Sequence, residues 1–515
     1  MSNRISKILG PNGSPFELAN GKANGHSTAL MAAPPRQARA TYDAARDTDE
    51  YRRHWANSDA LDPNSSNSPA VRNKLMRRSR YENGSNGYYA GIIRTHCNMV
   101  VGVGPTLRMT TKNRDFNQFV EREFYNWTQR IQLRRKLWCM CHARIQDGEA
   151  FAIMQTNPAI PMGRVQLDLT LIEGEQVHTP YLPFNDPNYT DGIKRDQYGN
   201  VRWYDVLPTH PGASQAFLNF EPIKVSPQEM LHWFKMERPG DHRSTPAMTS
   251  TLNLGASSRR FREATLRKAE IQADFSVLLE STLPPEDGDY RPDPMTAFDV
   301  DKGMMAVLPD GMKPHDLNVN TPSTEYSAFN RSHVSETARP ISQPFNAAAC
   351  DSSTYSFASG KLDFLCCRME IDVEREDCND QVLNPMFQEW FREWSLVDVR
   401  PEGPPTHQWD WPAHPIIDAQ AEAQAIDIKL KNGTTSMRDV YTDQSQDFED
   451  QLAVMCEDTF GESTPENIDK MRKIIAIRNT SKDAIPFVAE VLGLSNPFNQ
   501  QQPAAKPAKP AGATQ

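Results

Sequence analysis

HWFKMERPGDHRSTP, residues His232–Pro246, separates two kinds of sequence. On its N-terminal side, residues 144–236 alternate short apolar runs (AFAIMQ, RVQLDLTLI, VRWYDVL, MLHWFKM) with Gly, Pro, Asn and Asp, the pattern of strands and turns. On its C-terminal side the period becomes helical. Over Ala247–Ser281, Leu254, Ser258, Phe261, Thr265 or Leu266, Ala269, Ala273 and Val277 fall near one face, and Arg259, Arg260, Arg262, Arg267 and Lys268 charge the other. Some thirty helical residues would span about 45 Å, too long to lie within a small core. An α+β first half followed by a long helix is therefore the frame of the fold.

Working outward toward the N-terminus, Arg114–Trp127 carries Phe116, Phe119, Val120, Phe124 and Trp127 at three- and four-residue steps and predicts an amphipathic helix. Met99–Met109 (MVVGVGPTLRM) reads as a short strand, a glycine turn and a second strand. A helix is expected over about Ala70–Arg94, interrupted by the turn-like NGSNG at Asn83–Gly87, with the polar loop DALDPNSSNSP and the charged, helix-compatible YDAARDTDEYRRHW before it. The first forty residues, rich in Gly, Ala, Asn and Pro, read as a flexible arm.

Toward the C-terminus, Leu283–Asp316 is proline-rich and compatible with a short β-excursion, and a second helix is expected over about Ser323–Arg339. After an irregular segment, PFNAAACDSSTYSFAS, comes a long helix, Tyr355–Trp394. Its apolar stripe is Leu362, Leu365, Met369, Val373, Leu383, Phe387, Trp390 and Trp394, and Pro385 should kink or split it. Ile417–Met455 is a last helical region broken at NGTTS, where Gly433 suits the helix end and Thr434 or Thr435 the next N-cap. The tail QQQPAAKPAKPAGATQ is low-complexity and expected to be disordered.

Composition narrows the function classes. A chain of 515 residues exceeds one core and suggests two to four units. It is lean in hydrophobic residues (38%) and holds 39 prolines, with a mean hydropathy of −0.65, which suits a subunit that buries apolar surface against partners. The net charge of −10 argues against gripping nucleic acid over a broad face, which needs concentrated basic surface, and is compatible with letting DNA pass. Met1–Gly10 lacks the apolar core of a signal peptide, and no run approaches a membrane span. The eight cysteines show no disulfide-scaffold spacing, so a reducing, cytosolic assembly site is the simplest reading.

Catalytic constellations are not found. A phosphate-binding loop needs G-x-x-x-x-G-K-[ST]; around Gly360-Lys361 the first Gly is replaced by Tyr355 and the hydroxyl by Leu362. WCMCH (Trp138–His142) is one residue short of a haem attachment site, and the distant Cys366-Cys367 does not complete a zinc site, so packed thiols on an amphipathic helix are the preferred reading. G-x-S-x-G and H-E-x-x-H are missing. The acidic run EIDVEREDCND (Glu370–Asp380) would spread around a helix as solvated charge rather than gather a divalent metal. The basic run Arg259–Lys268 leaves two readings open, contact with nucleic acid or salt bridges between helices of a ring.

Four stretches, in order, resemble the portal proteins of lambda-type tailed phages. They are Ala38–Met109, with its arginines and paired tyrosines leading into V-G-x-G; His232–Pro246, similar to H-x-F-x-x-x-R-P-G-x-x-R-G-x-P, with Ser244 and Thr245 where that family usually has Gly; Val307–Tyr326; and Asp351–Phe364, in which the family's usual Arg is missing and Phe357 precedes Ala358. The likeness covers about residues 38–455.

The resemblance implies an α+β portal fold assembled as a ring. Its parts would be a flexible arm (1–40), an α/β wing (41–245), a first stem helix (246–282), a clip (283–321), a second stem helix (322–340), a tunnel loop (341–354), a spine helix with a return to the wing (355–400), a helical crown (401–460) and a C-terminal extension (461–515). On this reading Ser342, Gln343, Asn346, Ser352 and Ser353 face DNA in the tunnel loop. Arg259, Arg260, Arg262, Arg267 and Lys268 form the stem's basic face, and Glu286, Asp287, Asp289, Tyr290 and Arg291 dock the motor at the clip. No catalytic residue, metal or cofactor is expected.

The implied partners are further copies of the chain, twelve in all, the terminase large subunit, head-tail adaptors, major capsid and scaffold proteins, and double-stranded DNA passing without sequence specificity; no membrane is involved. The protein would sit at a unique vertex of the virion after assembly in the host cytoplasm. The alternatives are a DNA-processing packaging enzyme, such as a degenerate terminase or nuclease, and a different virion adaptor subunit.

Overall fold

The structure is a computed structural model that describes residues 48–160, 165–179, 186, 188–214, 221–274, 278–281, 312–315, 324–396, 406–415, 418–444, 446 and 448–480. It divides into two units, Met1–Leu61 and Asp62–Gln515. The first contributes one short helix, α1 (Asp49–His54).

The second unit opens with α2 (Pro63–Ser66), capped by the Asp62 carboxylate, which accepts from the Asn64 and Ser65 amides at 3.2 Å. α3 (Pro69–Ser85) and α4 (Gly87–Val101) are the helix interrupted at NGSNG, with Asn86 extended between them. Met99–Val101 is helix, not the expected strand. This apolar run continues the face of α4 that buries Ile92, Ile93 and Cys97, and Gly102 ends it at φ +53°. β1 (Thr106–Met109) precedes α5 (Arg114–Arg130), which is capped by Asn113 and buries Val120, Phe124 and Trp127 as its spacing predicts. α6 (Leu133–Asp147) carries WCMCH.

Two antiparallel sheets fill the β-rich region. β2 (Glu149–Thr156) is the middle of the first, between β3 (Leu167–Ile172) and β8; β4 (Tyr189–Thr190), β5 (Ile193–Arg195), β6 (Val201–Val206) and β7 (Ile223–Val225) form a meander, and β8 (Met230–Phe234) closes the first sheet. α7 (Leu252–Asp274) then runs for 23 residues, about 35 Å. Leu278–Ser281 is not its last turn but a strand, β9, paired antiparallel with β10 (Met312–His315). LLES fits either form, and a strand partner some thirty residues on decides it.

α8 (Thr324–Ala338) packs on α7, with Phe329 4.6 Å and Tyr326 5.9 Å from Phe261 between ring centroids. The next segment is not irregular throughout: α9 (Phe345–Ala349) buries Phe345 and Ala348. The long helix is split as Pro385 requires. α10 (Phe357–Cys378) passes through a π-turn, Asn379–Leu383, into α11 (Asn384–Trp394), because Pro385 offers no amide to the Gln381 carbonyl. The expected stripe divides there. Leu383, Phe387, Trp390 and Trp394 are buried, but Leu362, Leu365, Met369 and Val373 are exposed, and α10 buries Cys367, Ile371, Glu374, Arg375 and Cys378 instead. α10 has apolar groups on two faces. Arg375 selects the inner one by donating to the carbonyls of Val100 and Met99 at 3.0 Å.

β11 (His407–Asp410) pairs antiparallel with β1, tying residue 410 to residue 106. Trp409 thereby joins Phe124, Trp127, Phe387, Trp390 and Trp394 in an aromatic core, with Phe124 and Trp390 edge to face at 5.1 Å. α12 (Ala419–Lys431), α13 (Met437–Asp443), α14 (Phe448–Phe460) and α15 (Pro465–Thr480) follow. Gly433 (φ +67°) takes the expected position past the end of α12. The next N-cap is Ser436 rather than Thr434 or Thr435, because Ser436 and Asp439 complete a reciprocal capping box.

Candidate functional site

The motif His232–Pro246 is built around one carboxylate. Glu149, the first residue of β2, is fully buried and accepts from Arg243 Nε at 2.8 Å on both oxygens and from His232 Nε2 at 3.2 Å. Arg243 Nη2 also donates to Glu149 Oε1 at 2.5 Å, and the remaining Arg243 hydrogens go to the carbonyls of Val177 (2.9 Å), Asp191 (2.7 Å) and Gly174 (2.9 Å), so one guanidinium ties β2 to the loops of both sheets. Arg72 of α3 pairs with Asp191 and lies 3.7 Å from Glu149; His178 reaches Asp191 at 3.1 Å. Two arginines thus balance two carboxylates out of water.

The titrations follow from that arrangement. Burial by itself raises the Glu149 carboxyl, but Arg243, the His232 hydrogen bond and Arg72 outweigh it and hold it well below the carboxylate range. Burial, then Arg243, brings Arg72 down to about 9 against the pull of Glu149. Burial also lowers His232, although Glu149 opposes the shift.

The turn around the motif is held from the far end of the polar loop. Asn64 donates to the Gly240 carbonyl at 3.0 Å and accepts from the His242 amide at 3.1 Å, while Asn67 donates to the Arg243 carbonyl at 3.0 Å. As a sequence, DPNSSNSP reads only as a polar connecting loop. The signal was its asparagines, which supply side-chain groups that mimic backbone. Thr245 and Pro246 then cross directly over Gly148 (φ +99°), where an added Cβ would lie 2.3 Å from the Thr245 carbonyl carbon. Ser244 and Thr245 stand where the resembling family usually has Gly, and neither has a positive φ, so the departure carries no backbone strain.

The basic face of α7 divides into two sets. Arg259 donates to Glu82 at 2.9 Å and lies over Tyr81, and Arg262 donates to Asn86 at 2.8 Å and lies over Tyr88. Both anchor α7 to the α3–α4 corner. Arg260, Arg267 and Lys268 are exposed and make no hydrogen bond or ion pair with the described residues.

The residues expected in a DNA-facing loop also divide. Gln343 is buried, and neither of its amide atoms has a hydrogen-bond partner among the described residues. Ser342 (φ +51°) and Asn346 are half-buried beside Phe345, whose ring Arg331 covers at 4.6 Å. Ser352 and Ser353 are exposed, with Asp351 accepting from the Ser353 amide at 2.9 Å. Packing of α9 draws in the first half and leaves Cys350–Thr354 at the surface. Glu286, Asp287, Asp289, Tyr290 and Arg291 lie outside the described residues.

The acidic run is distributed rather than gathered. Glu374 is buried against Arg144 at 2.6 Å, Glu370 pairs with Lys235 at 2.6 Å, Asp372 accepts from His414 at 2.7 Å, and Glu376 and Asp380 face solvent. In WCMCH, Cys141 is buried beside Cys97, Cys139 is exposed and His142 stacks on Trp138 at 5.3 Å. Among the described residues the one close group of metal-capable side chains is Glu173, Glu175 and His210. Arg80 already sits in it, 2.7 Å from Glu175 and 3.1 Å from Glu173.

The fold is an α+β body joined through His232–Pro246 to two packed helices, α7 and α8. The family model for phage portal proteins of the lambda family matches residues 51–375. The chain belongs to that family, which is structural rather than enzymatic. A protein of Halomonas phage phiHAP-1 described as "Probable portal protein" is 22% identical over 428 residues, covering 75% of this chain and 79% of that one. Among solved structures, the chain is similar to one from the neck of an empty gene transfer agent particle computed with C6 symmetry (TM-score 0.43, 11% identity, 73% of this chain and 93% of that one). It is also similar to one from the neck of the native particle computed with C12 symmetry (TM-score 0.43, 11% identity, 72% and 92%).

Proposed function

We propose that this portal protein forms, as a ring of about twelve copies, the DNA channel at one capsid vertex, through which the genome is packaged and ejected. The observation that carries this reading is the family match across residues 51–375, which takes in the β-rich body, the helix pair and most of α10. In this assignment residues 41–245 are the wing, α7 and α8 the stem, 283–321 the clip, Cys350–Thr354 the exposed tip of the tunnel loop, α10 and α11 the spine, and 401–460 the crown.

Double-stranded DNA slides past the polar, neutral side chains Ser352 and Ser353 without sequence-specific contact. The net charge of −10 supports passage over adhesion. The ATP-driven work belongs to a terminase large subunit docked at the clip, where head-tail adaptors later bind; capsid and scaffold proteins surround the ring during assembly in the host cytoplasm.

Negative-stain electron microscopy of the purified protein tests this directly. Rings near twelvefold with a central hole are expected, of mass about 0.7 MDa (twelve times 58.2 kDa). Monomers or small dimers at high concentration, or Mg²⁺-dependent DNA cleavage or ATP hydrolysis by the purified protein, would overturn the proposal.

A further inference from the structure

α10 is apolar on two sides. Its inner face packs on α4, and its outer face carries Leu362, Leu365, Cys366, Met369 and Val373 at three- and four-residue steps. Leu362 and Met369 are 64% and 68% exposed. A helix apolar on both faces belongs inside an assembly, and an exposed stripe of this kind marks a contact. The stripe runs into carboxylates at its C-terminal end, the exposed Glu376 and Asp380.

The opposite chemistry lies between α3 and α7. A groove of about 660 Å³ there has Ala70, Leu252 and Ala256 among its lining, with Lys74, Arg77 and Arg78 along one wall. The cations fall at i, i+3 and i+4 of α3, so they share one face. On a chain of net charge −10 this is a local reversal of sign. Phosphate backbone would satisfy the cations but would leave the apolar part of the groove uncovered. An apolar helix face edged with carboxylates satisfies both.

We infer that the outer face of α10 in one copy seats in the α3–α7 groove of the next. A contact between two different patches of the same chain generates a ring when its rotation closes. α3 and α10 both pack on α4, so one helix sets the spacing between the two patches. The apolar stripe supplies affinity, and the carboxylates facing Lys74, Arg77 and Arg78 set register. The inference rests on the ring reading above and specifies which surfaces meet.

Cys366 lies in the stripe and is exposed, which makes the contact accessible to cross-linking. In a chain whose exposed Cys139 and Cys350 are changed to Ser, Ala256→Cys places a thiol in the groove. Treatment of assembled rings with a short bismaleimide is expected to give a ladder of covalent multiples on a denaturing gel, and Cys366→Ser should abolish it. Arg77→Glu with Arg78→Glu should deplete rings, and Glu376→Arg with Asp380→Arg in the same chain should restore them. Intact rings by electron microscopy with no Cys366-dependent ladder would overturn this interface while leaving the ring in place. Absence of rings from the unaltered chain would overturn both readings.

Discussion

Arg243 donates from Nε to both carboxylate oxygens of Glu149 at 2.8 Å, across 94 residues of chain, with both side chains buried. The pair joins the first residue of β2 to the segment that leads into α7, so a buried charge contact ties that segment to the first sheet. Breaking a buried pair leaves an uncompensated charge, which costs about 3–5 kcal/mol. Arg243→Ala is therefore expected to lower the unfolding free energy obtained from urea titration by about 3–5 kcal/mol. Arg243→Lys keeps the charge but loses the fork that reaches three carbonyls, and should fall between the two. An Arg243→Ala chain as stable as the parent would show that the junction is held elsewhere.

Gly148 and Gly199 separate two costs of adding a methyl group. Both have positive φ, +99° and +88°, but the Gly148 Cβ would meet the Thr245 backbone at 2.3 Å, whereas nothing lies within 4 Å of Gly199. Gly199→Ala should cost about 1 kcal/mol of backbone strain. Gly148→Ala adds the displacement of Thr245–Pro246 and should cost more than 3 kcal/mol, in the range of severe single changes. Chemical denaturation of the two variants side by side measures the difference.

Acid stability has a defined sign. His96 is wholly buried, its ring nitrogens lack hydrogen-bond partners among the described residues, and burial, then Arg144 and Lys235, pull it down to about 3 from 6.5. The unfolded chain takes up a proton that the folded chain refuses. This stability is fully present above pH 6.5 and is lost as pH falls toward 3, by at most about 1.4 kcal/mol per pH unit. His232 and His178, lowered chiefly by burial, act in the same direction. Glu149, whose carboxyl is held low, adds its own loss below its ordinary value of 4.5. His96→Gln should flatten the stability profile between pH 6.5 and 5, and an unchanged slope would exclude His96 as its source.

α5, α7, α10 and α11 are legible in the sequence because their apolar residues recur every three or four positions, and Pro385 marks the split between the last two. Three short stretches misled for a common reason: their pattern suits two structures and a distant partner chooses. Met99–Val101 is helical because the inner face of α4 continues through it, Leu278–Ser281 is a strand because β10 pairs with it, and α9 folds inward because Phe345 has a core to enter. The stripe on α10 was visible in sequence, but its direction was not. An amphipathic pattern identifies an apolar face without naming the molecule that covers it. Arg243 stood out within its motif, yet its partner Glu149 is a lone acid at the start of a strand, and only the fold brings the two together.

The two sets of cations on α7 differ in what their removal exposes. Arg259 covers Glu82, whose side chain is 5% exposed, and Arg262 holds Asn86 at the break between α3 and α4. Truncating Arg259 leaves a buried carboxylate short of a donor, which costs about 1–3 kcal/mol. Arg260, Arg267 and Lys268 are exposed and make no hydrogen bond or ion pair with the described residues, and alanine at such surface positions moves stability by about 0.5 kcal/mol or less. The Arg259→Ala, Arg262→Ala chain should therefore unfold at a lower temperature, while alanine at the other three positions should leave the unfolding midpoint in place. If packaging of DNA nevertheless drops in the second variant, its three cations act on something outside the subunit. Equal loss of stability in both variants would show that the whole face is structural and that the division drawn here is wrong.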